Sequence, residues 1–381
     1  MYKRQDNLKR STLSPDALRI RVMDDFFADY TAEEVEQDTL VLSLFGLLEP
    51  GYDLHKLYVD LYSEQIAGFY DDETQEMVVV QGEQFLGPEW MTYAHEYTHA
   101  LQDRVYDLEN GLKMNDETCD QNSEYCTAVQ ALLEGDATLT ETLWFLQNST
   151  TQDKKEILEY YQGYQSPVYD SAPDFLKQDF LFAYSQGLEF VQQIYETGGF
   201  AAVDRVYQDL PQSTEQILHP QKYPEDQPVL VDIGDLENFL GREWQEIERG
   251  ILGEWYIYLI LAEPGKTQVA LSKQDAAAAA EGWGGDQYLI FRQGESSETV
   301  LVAFSQWDTT SDAEEYWQQL STYGSNRWGS SQNRNNNRVV WSGPQEAVLM
   351  SLQGSQVLWI VAPSVDIMQQ LSLAFPAFPQ E

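Results

Sequence analysis

The chain has 381 residues, 43% of them hydrophobic and 13% aromatic, a composition that excludes a disordered chain and is sufficient for large cores. Its 63 acidic residues against 22 basic ones leave a net charge of −41. That balance excludes nucleic acid as a partner, because phosphate binding needs basic surface, and it disfavours anionic membranes.

The first ten residues (MYKRQDNLKR) are polar and lack the apolar segment of an export signal. No apolar run is long enough to cross a membrane, so no transmembrane segment is expected. Two helices are expected over residues 15–48. The first starts at Ser14-Pro15 and carries Leu18, Ile20, Val22, Phe26 and Phe27; the second starts at Thr31 and stops at Pro50-Gly51. Residues 56–80 read as strands, with QIAGFYDDETQEMVVV (65–80) as a hairpin.

Gly87-Pro88 then leads into a long helix from Glu89 to Tyr106, with Trp90, Ala94, Tyr97, Leu101 and Val105 forming an apolar stripe. A polar loop over 107–122 holds Cys119, and the helix after it, 123–146, holds Cys126 and the segment ALLEGDATLTETL. A C-x6-C pair without a neighbouring histidine is a poor zinc site and suits a local disulfide. The expected setting is therefore extracytoplasmic or secreted.

Residues 152–262 read as mostly helical, with a break at Gly198-Gly199 and a short capped turn or helix over 212–224. After Pro264-Gly265 the composition changes. Five alanines (276–280) and a GWGG turn precede four strand-like runs, QYLIF, TVLVAF, EAVLMSL and VLWIVA, interleaved with helical stretches near 310–321 and 365–374. Residues 325–338 read as a polar, locally basic loop. Trp283, Trp307, Trp317 and Trp328 are either core or a binding face.

The segment TYAHEYTHALQDRVY carries the chemistry. It contains H-E-x-x-H, at His95, Glu96 and His99. Residues four apart share one helix face, so two imidazoles can converge on one ion while Glu96 stands beside them free to move a proton. Both histidines lie off the apolar stripe. A catalytic zinc needs a third protein ligand and an open position. Gln102 and Val105 stand where the metzincin pattern requires glycine and histidine, so a downstream carboxylate is needed. Glu134 is the best candidate: it lies in an apolar helix, where an acid needs a partner, and Gly135 beside it permits another backbone to approach. Glu141, Asp103 and Glu109 are fallbacks. Asp136, on the opposite helix face from Glu134, is a poor supporting partner for a histidine.

On these residues the chain resembles the gluzincin metallopeptidases, with H-E-x-x-H on one helix and a glutamate ligand on the next. It is most similar to compact prokaryotic gluzincin-like peptidases with the glutamate in an E-G-x-A context. The resemblance covers about residues 50–220. It implies His95, His99 and Glu134 as ligands of Zn2+, Glu96 as general base, and a preceding antiparallel sheet whose edge strand, in the 65–80 hairpin, aligns an extended substrate. Thermolysin-like members hold the oxyanion with a histidine and a tyrosine from outside the ligand helices, for which His219 and Tyr223 are available here. Two departures stand out: 34 residues separate His99 from Glu134, and the N-E-x-x-S-D signature is missing.

The expectation is an α+β protein: a mostly helical zincin-like domain with a small antiparallel sheet over residues 1–265, then a small α+β accessory domain over 270–381. The expected activity is zinc-dependent peptide-bond hydrolysis of a peptide or protein substrate by metal-activated water. The alternatives are a metal-binding protein without activity and a cell-surface interaction protein in which the motif is accidental.

Overall fold

The computed structural model describes residues 8–380 apart from 27–29, 295, 297, 336 and 345. The first seven residues of the polar N-terminal stretch, the expected core residue Phe27 and the side chain of Phe26 lie outside the described residues, as does Asn336 of the basic loop. The fold is α+β, about 54% helix and 17% strand. No helix among the described residues is long and apolar enough to cross a membrane.

In chain order the first elements are β1 (Lys9–Leu13), α1 (Pro15–Arg21), α2 (Ala32–Phe45), α3 (Leu54–Gln65), β2 (Gly68–Asp71) and β3 (Glu76–Val80). Then come α4 (Gly87–Tyr106), α5 (Asp116–Gln121), α6 (Ser123–Asn148), α7 (Thr151–Gly163), α8 (Pro167–Ser171), α9 (Asp174–Gly198) and α10 (Phe200–Val206). The remainder comprises α11 (Thr214–Leu218), α12 (Glu237–Leu240), β4 (Trp244–Gly250), α13 (Gly253–Ala262), α14 (Lys273–Ala280), β5 (Trp283–Gln293), β6 (Thr299–Trp307), α15 (Thr310–Trp328), β7 (Asn333–Asn335), β8 (Arg338–Ser342), β9 (Ala347–Gln353), β10 (Gln356–Ala362) and α16 (Val365–Ser372). Cys119 and Cys126 form a disulfide.

Two compact units result. The first comprises Met1–Val35, Asp53–Thr118 and Cys126–Pro211; the second comprises Glu36–Tyr52, Cys119–Tyr125 and Gln212–Glu381. Residues 212–265, expected with the first domain, therefore belong to the second unit. The reason is that β4 pairs with β5 and α11, α13 and α14 pack in series behind it.

In the first unit, helices surround a three-stranded sheet of order β1-β3-β2. The sheet is mixed, not antiparallel as expected, because β1 pairs parallel to β3 while β2 pairs antiparallel to it. The stretch from Lys56 to Gln65, expected as strand, lies in the helix α3. The Asp53 carboxylate caps it by accepting from the Lys56 N–H, and Leu54, Val59 and Leu61 are buried. Helix α4 packs on β2 and β3 with an inverted polarity. Its expected apolar stripe is the outer side, with Trp90 45% and Val105 65% exposed, whereas His95, Glu96, Thr98, Ala100 and Gln102 are buried.

The second unit is built on a seven-stranded antiparallel sheet of order β4-β5-β6-β10-β9-β8-β7. Helices α12 and α16 cover one face over Leu289, Phe291, Val302, Leu349, Leu358 and Ile360, while α15 packs on β6, β9 and β10. Burial on both faces explains why VLWIVA reads as a continuous apolar run. Trp283, Trp307 and Trp317 are core. The expected basic loop at 325–338 is instead the end of α15 followed by the β7–β8 hairpin; the Arg327 guanidinium donates to the Leu44 carbonyl at 2.9 Å.

Within the first unit, α6 and α9 cross backbone to backbone. A Cβ on Gly187 would lie 2.0 Å from the Ala131 carbonyl oxygen, and one on Gly135 would lie 2.2 Å from the Gly187 carbonyl oxygen. Only glycine admits this approach. Gly187→Ala must force the helices apart and is expected to destabilise the protein by about 3 kcal/mol in denaturant unfolding; an unchanged midpoint would show that the crossing yields without cost.

Candidate metal centre

Three elements of the first unit build the site. Helix α4 begins at Gly87, whose N–H donates to Glu156, and at Leu86, whose N–H donates to Glu89. It presents His95 and His99 one turn apart, with ring centroids 4.8 Å apart. Helix α6 brings Glu134 and, two turns on, Glu141. Helix α9 brings Tyr184, one turn before the Gly187 crossing.

The sequence-derived ligand set is brought together here. Glu134 Oε2 lies 3.0 Å from His95 Nε2 and 3.4 Å from His99 Nε2. All three ligand atoms lie within 4.8 Å of one another. A tetrahedral ion with bonds of about 2.0–2.1 Å holds its ligands about 3.3 Å apart, so these spacings fit zinc. A second acidic set, Glu215, Asp226 and Asp308, clusters in the second unit, but the Lys222 ammonium sits among its oxygens at 2.5, 3.1 and 2.9 Å. The nitrogen-rich set is the one suited to zinc.

The far ring nitrogens are also held. His95 Nδ1 lies 3.1 Å from Glu141 Oε2, and His99 Nδ1 lies 2.8 Å from Gln102 Oε1. Gln102 Nε2 in turn lies 3.0 Å from the Leu133 carbonyl, from Asp136 Oδ2 and from the Tyr207 hydroxyl. Glu141, a fallback ligand, thus supports His95 from behind. Asp136, expected to be a poor partner, does not touch a histidine but holds the glutamine that does. Of the other fallbacks, Asp103 accepts from the Tyr70 hydroxyl at 2.7 Å and Glu109 is exposed.

The charges are strongly coupled. Burial pulls the His95 imidazole down, but its hydrogen bonds to Glu134 and Glu141 and the nearby carboxylate charges outweigh this and push it up to about 10. Burial would raise Glu134, yet the two imidazoles hold it down at about 2. Glu96 ligates nothing, and burial pushes it up to about 7 despite both histidines. A carboxylate poised there can accept and return a proton near neutrality.

Sequence reasoning missed Tyr184. Its ring stacks on His95 with centroids 6.2 Å apart and its hydroxyl lies within the field of Glu134 and Glu96, while the residue stays 39% exposed. Burial of the hydroxyl, then the Glu134 and Glu96 charges, raise it well above the usual phenol value. Only the small residue at Gly187, one turn on, hinted in sequence that this face of α9 closes on another helix.

The outer strand β2 lies against the same helix. A Cβ on Gly68 would come within 2.6 Å of Thr92 Cγ2 and 3.0 Å of Glu96 Cγ. The Val80 N–H donates to the Ala67 carbonyl, so by alternation Gly68 and Tyr70 direct their own N–H and C=O away from β3.

His219 and Tyr223, expected near the ligands, belong to the second unit. His219 Nε2 lies 2.8 Å from Glu254 Oε1, and that hydrogen bond, against burial, raises the imidazole. Tyr223 precedes Pro224 across a cis bond. Close by, burial pushes Glu124 up to about 8 even though it accepts from the Thr214 N–H, with Asp286 and Glu254 adding to the rise. Its ordinary value is 4.5, so the folded state keeps a proton that the unfolded chain loses, and stability falls as pH rises from about 4.5 to about 8. Glu124→Gln is expected to flatten the fall in melting temperature between pH 5 and 8; an unchanged slope would remove Glu124 as its source.

A family described as "Domain of unknown function (DUF8575)" matches residues 242–372, all within the second unit. No curated protein and no solved structure matches the chain.

Proposed function

We propose that the chain is a zinc-dependent peptidase that works in the first unit. The observation supporting this most directly is the convergence of His95, His99 and Glu134 at ligand spacing beside a buried carboxylate, Glu96, that binds none of them. A purely structural zinc site closes with four protein ligands and has no use for such a base. Zinc held by these three residues would supply Lewis acidity toward a peptide carbonyl and make water acidic enough to attack it.

The protein groups then divide the remaining tasks. Glu96 accepts the proton of the attacking water and returns it to the leaving amine. Tyr184 is the hydroxyl best placed to donate to the oxygen on which negative charge develops, a role expected of His219 and Tyr223 from the resemblance. The outward N–H and C=O groups of Gly68 and Tyr70 offer an extended peptide a strand to pair with, next to Glu96. The Cys119–Cys126 disulfide supports an oxidising, extracytoplasmic setting.

Zinc-loaded protein is expected to hydrolyse casein. Glu96→Gln should retain zinc and lose about 10³-fold in kcat; equal turnover by the variant would remove Glu96 from the mechanism. Tyr184→Phe should lower kcat/KM by about 10²-fold, through kcat more than KM. A loss confined to KM would assign Tyr184 to substrate binding alone.

A further inference from the structure

We infer that Gln102 is a positioning residue that selects which nitrogen of His99 faces the ligand set, and that Asp136 and Tyr207 act on the metal only by fixing the orientation of Gln102. The inference rests on the zinc-site reading above and extends it to residues that touch no ligand position.

A glutamine amide has one accepting end and one donating end, and here its surroundings choose between them. Gln102 is 3% exposed, so neither end can turn to water for a partner. One end faces the Leu133 carbonyl and the Asp136 carboxylate, both at 3.0 Å. Two acceptors at that end require the NH2 group there. The reversed amide would set its oxygen against both acceptors, exchanging two hydrogen bonds for oxygen–oxygen repulsion in a place water does not reach.

Asp136 cannot turn aside, because the Tyr207 hydroxyl donates to the same Oδ2 at 2.9 Å. Tyr207 is pinned in turn by its stack on Tyr106, with ring centroids 4.0 Å apart and planes 6° from parallel.

With the NH2 end committed, Gln102 Oε1 must face His99 Nδ1 at 2.8 Å, and Oε1 only accepts. His99 therefore carries its proton on Nδ1. The lone pair of its neutral form is left on Nε2, the nitrogen that lies 3.4 Å from Glu134 Oε2. The opposite tautomer would set a lone pair against Oε1 and an N–H against the ion. His95 has a carboxylate in the equivalent place, Glu141, so the two ligands are oriented by different devices.

The test measures zinc dissociation constants by chelator competition on the full chain, for the wild type, Gln102→Met, Asp136→Asn and the double variant, with circular dichroism as the check on folding. Gln102→Met should weaken zinc binding by about 10- to 100-fold. Asp136→Asn should weaken it in the wild-type background and have no further effect once Gln102 is gone. Nitrogen-15 imidazole shifts of the zinc-loaded wild type should place the His99 proton on Nδ1, a readout that needs no variant to fold. Unchanged affinity in folded Gln102→Met, an Asp136→Asn effect equal in both backgrounds, or a proton on Nε2 would each overturn the inference. A wild type that takes up no zinc would overturn the zinc reading itself, and that result is seen before any variant is compared.

Discussion

The site depends on the placement of ionisable groups on a buried helix face. His95, His99, Glu96, Glu134 and Glu141 meet where water is largely excluded, and such charges are tolerated only when paired. The two imidazoles hold Glu134 ionised, and Glu134 and Glu141 hold the His95 imidazole charged. A divalent cation would take over that neutralising role at the point where the two Nε2 atoms and Oε2 converge. The same burial lifts Glu96, which has no ligating role, toward neutrality. One desolvated cluster thus both gathers three candidate cation ligands and lifts the neighbouring Glu96 toward neutrality.

Backbone packing sets the distances. Helices α6 and α9 touch through Gly135 and Gly187, and that contact brings Glu134 and Tyr184 into one site. Strand β2 approaches α4 through Gly68, so the outward-facing backbone of the sheet lies beside Glu96. On the far side, Gln102 ties α4 to α6 through Leu133 and Asp136. Interactions on three sides hold the helix that carries His95 and His99, and so fix the geometry that the proposed activity would require.

Much of the site was legible because its chemistry is local in sequence. H-E-x-x-H on a helix fixes the relation of His95 to His99, and an acid beside glycine in an apolar helix marked Glu134. Gln102 was also within reach: it follows His99 by three residues and so shares its face. Which face of α4 is buried was not legible. Trp90, Leu101 and Val105 look like a core stripe, but the helix packs through the side carrying His95, Glu96, Thr98, Ala100 and Gln102, where His95 and Gln102 find polar partners on α6. Tyr184 was missed because it joins Glu134 only through a helix crossing between distant segments.

The same distinction governs the fold. Strands β5, β6, β9 and β10 showed themselves as apolar runs, as expected of a sheet covered on both faces. The parallel pairing of β1 with β3 depends on two segments far apart in the chain, and residues 56–65 resemble a strand because Tyr58, Val59 and Tyr62 are strand-favouring types that here face the helix's neighbours. Histidine before proline at His219 was a weak signal, and that ring pairs with Glu254 in the second unit.

Anomalous diffraction from zinc-soaked crystals tests the central claim most directly. The account predicts one ion bound by His95 Nε2, His99 Nε2 and a Glu134 carboxylate oxygen, each at about 2.0–2.2 Å. An anomalous peak on Glu215, Asp226 and Asp308 with none at the histidines, or no peak at either set, would contradict it.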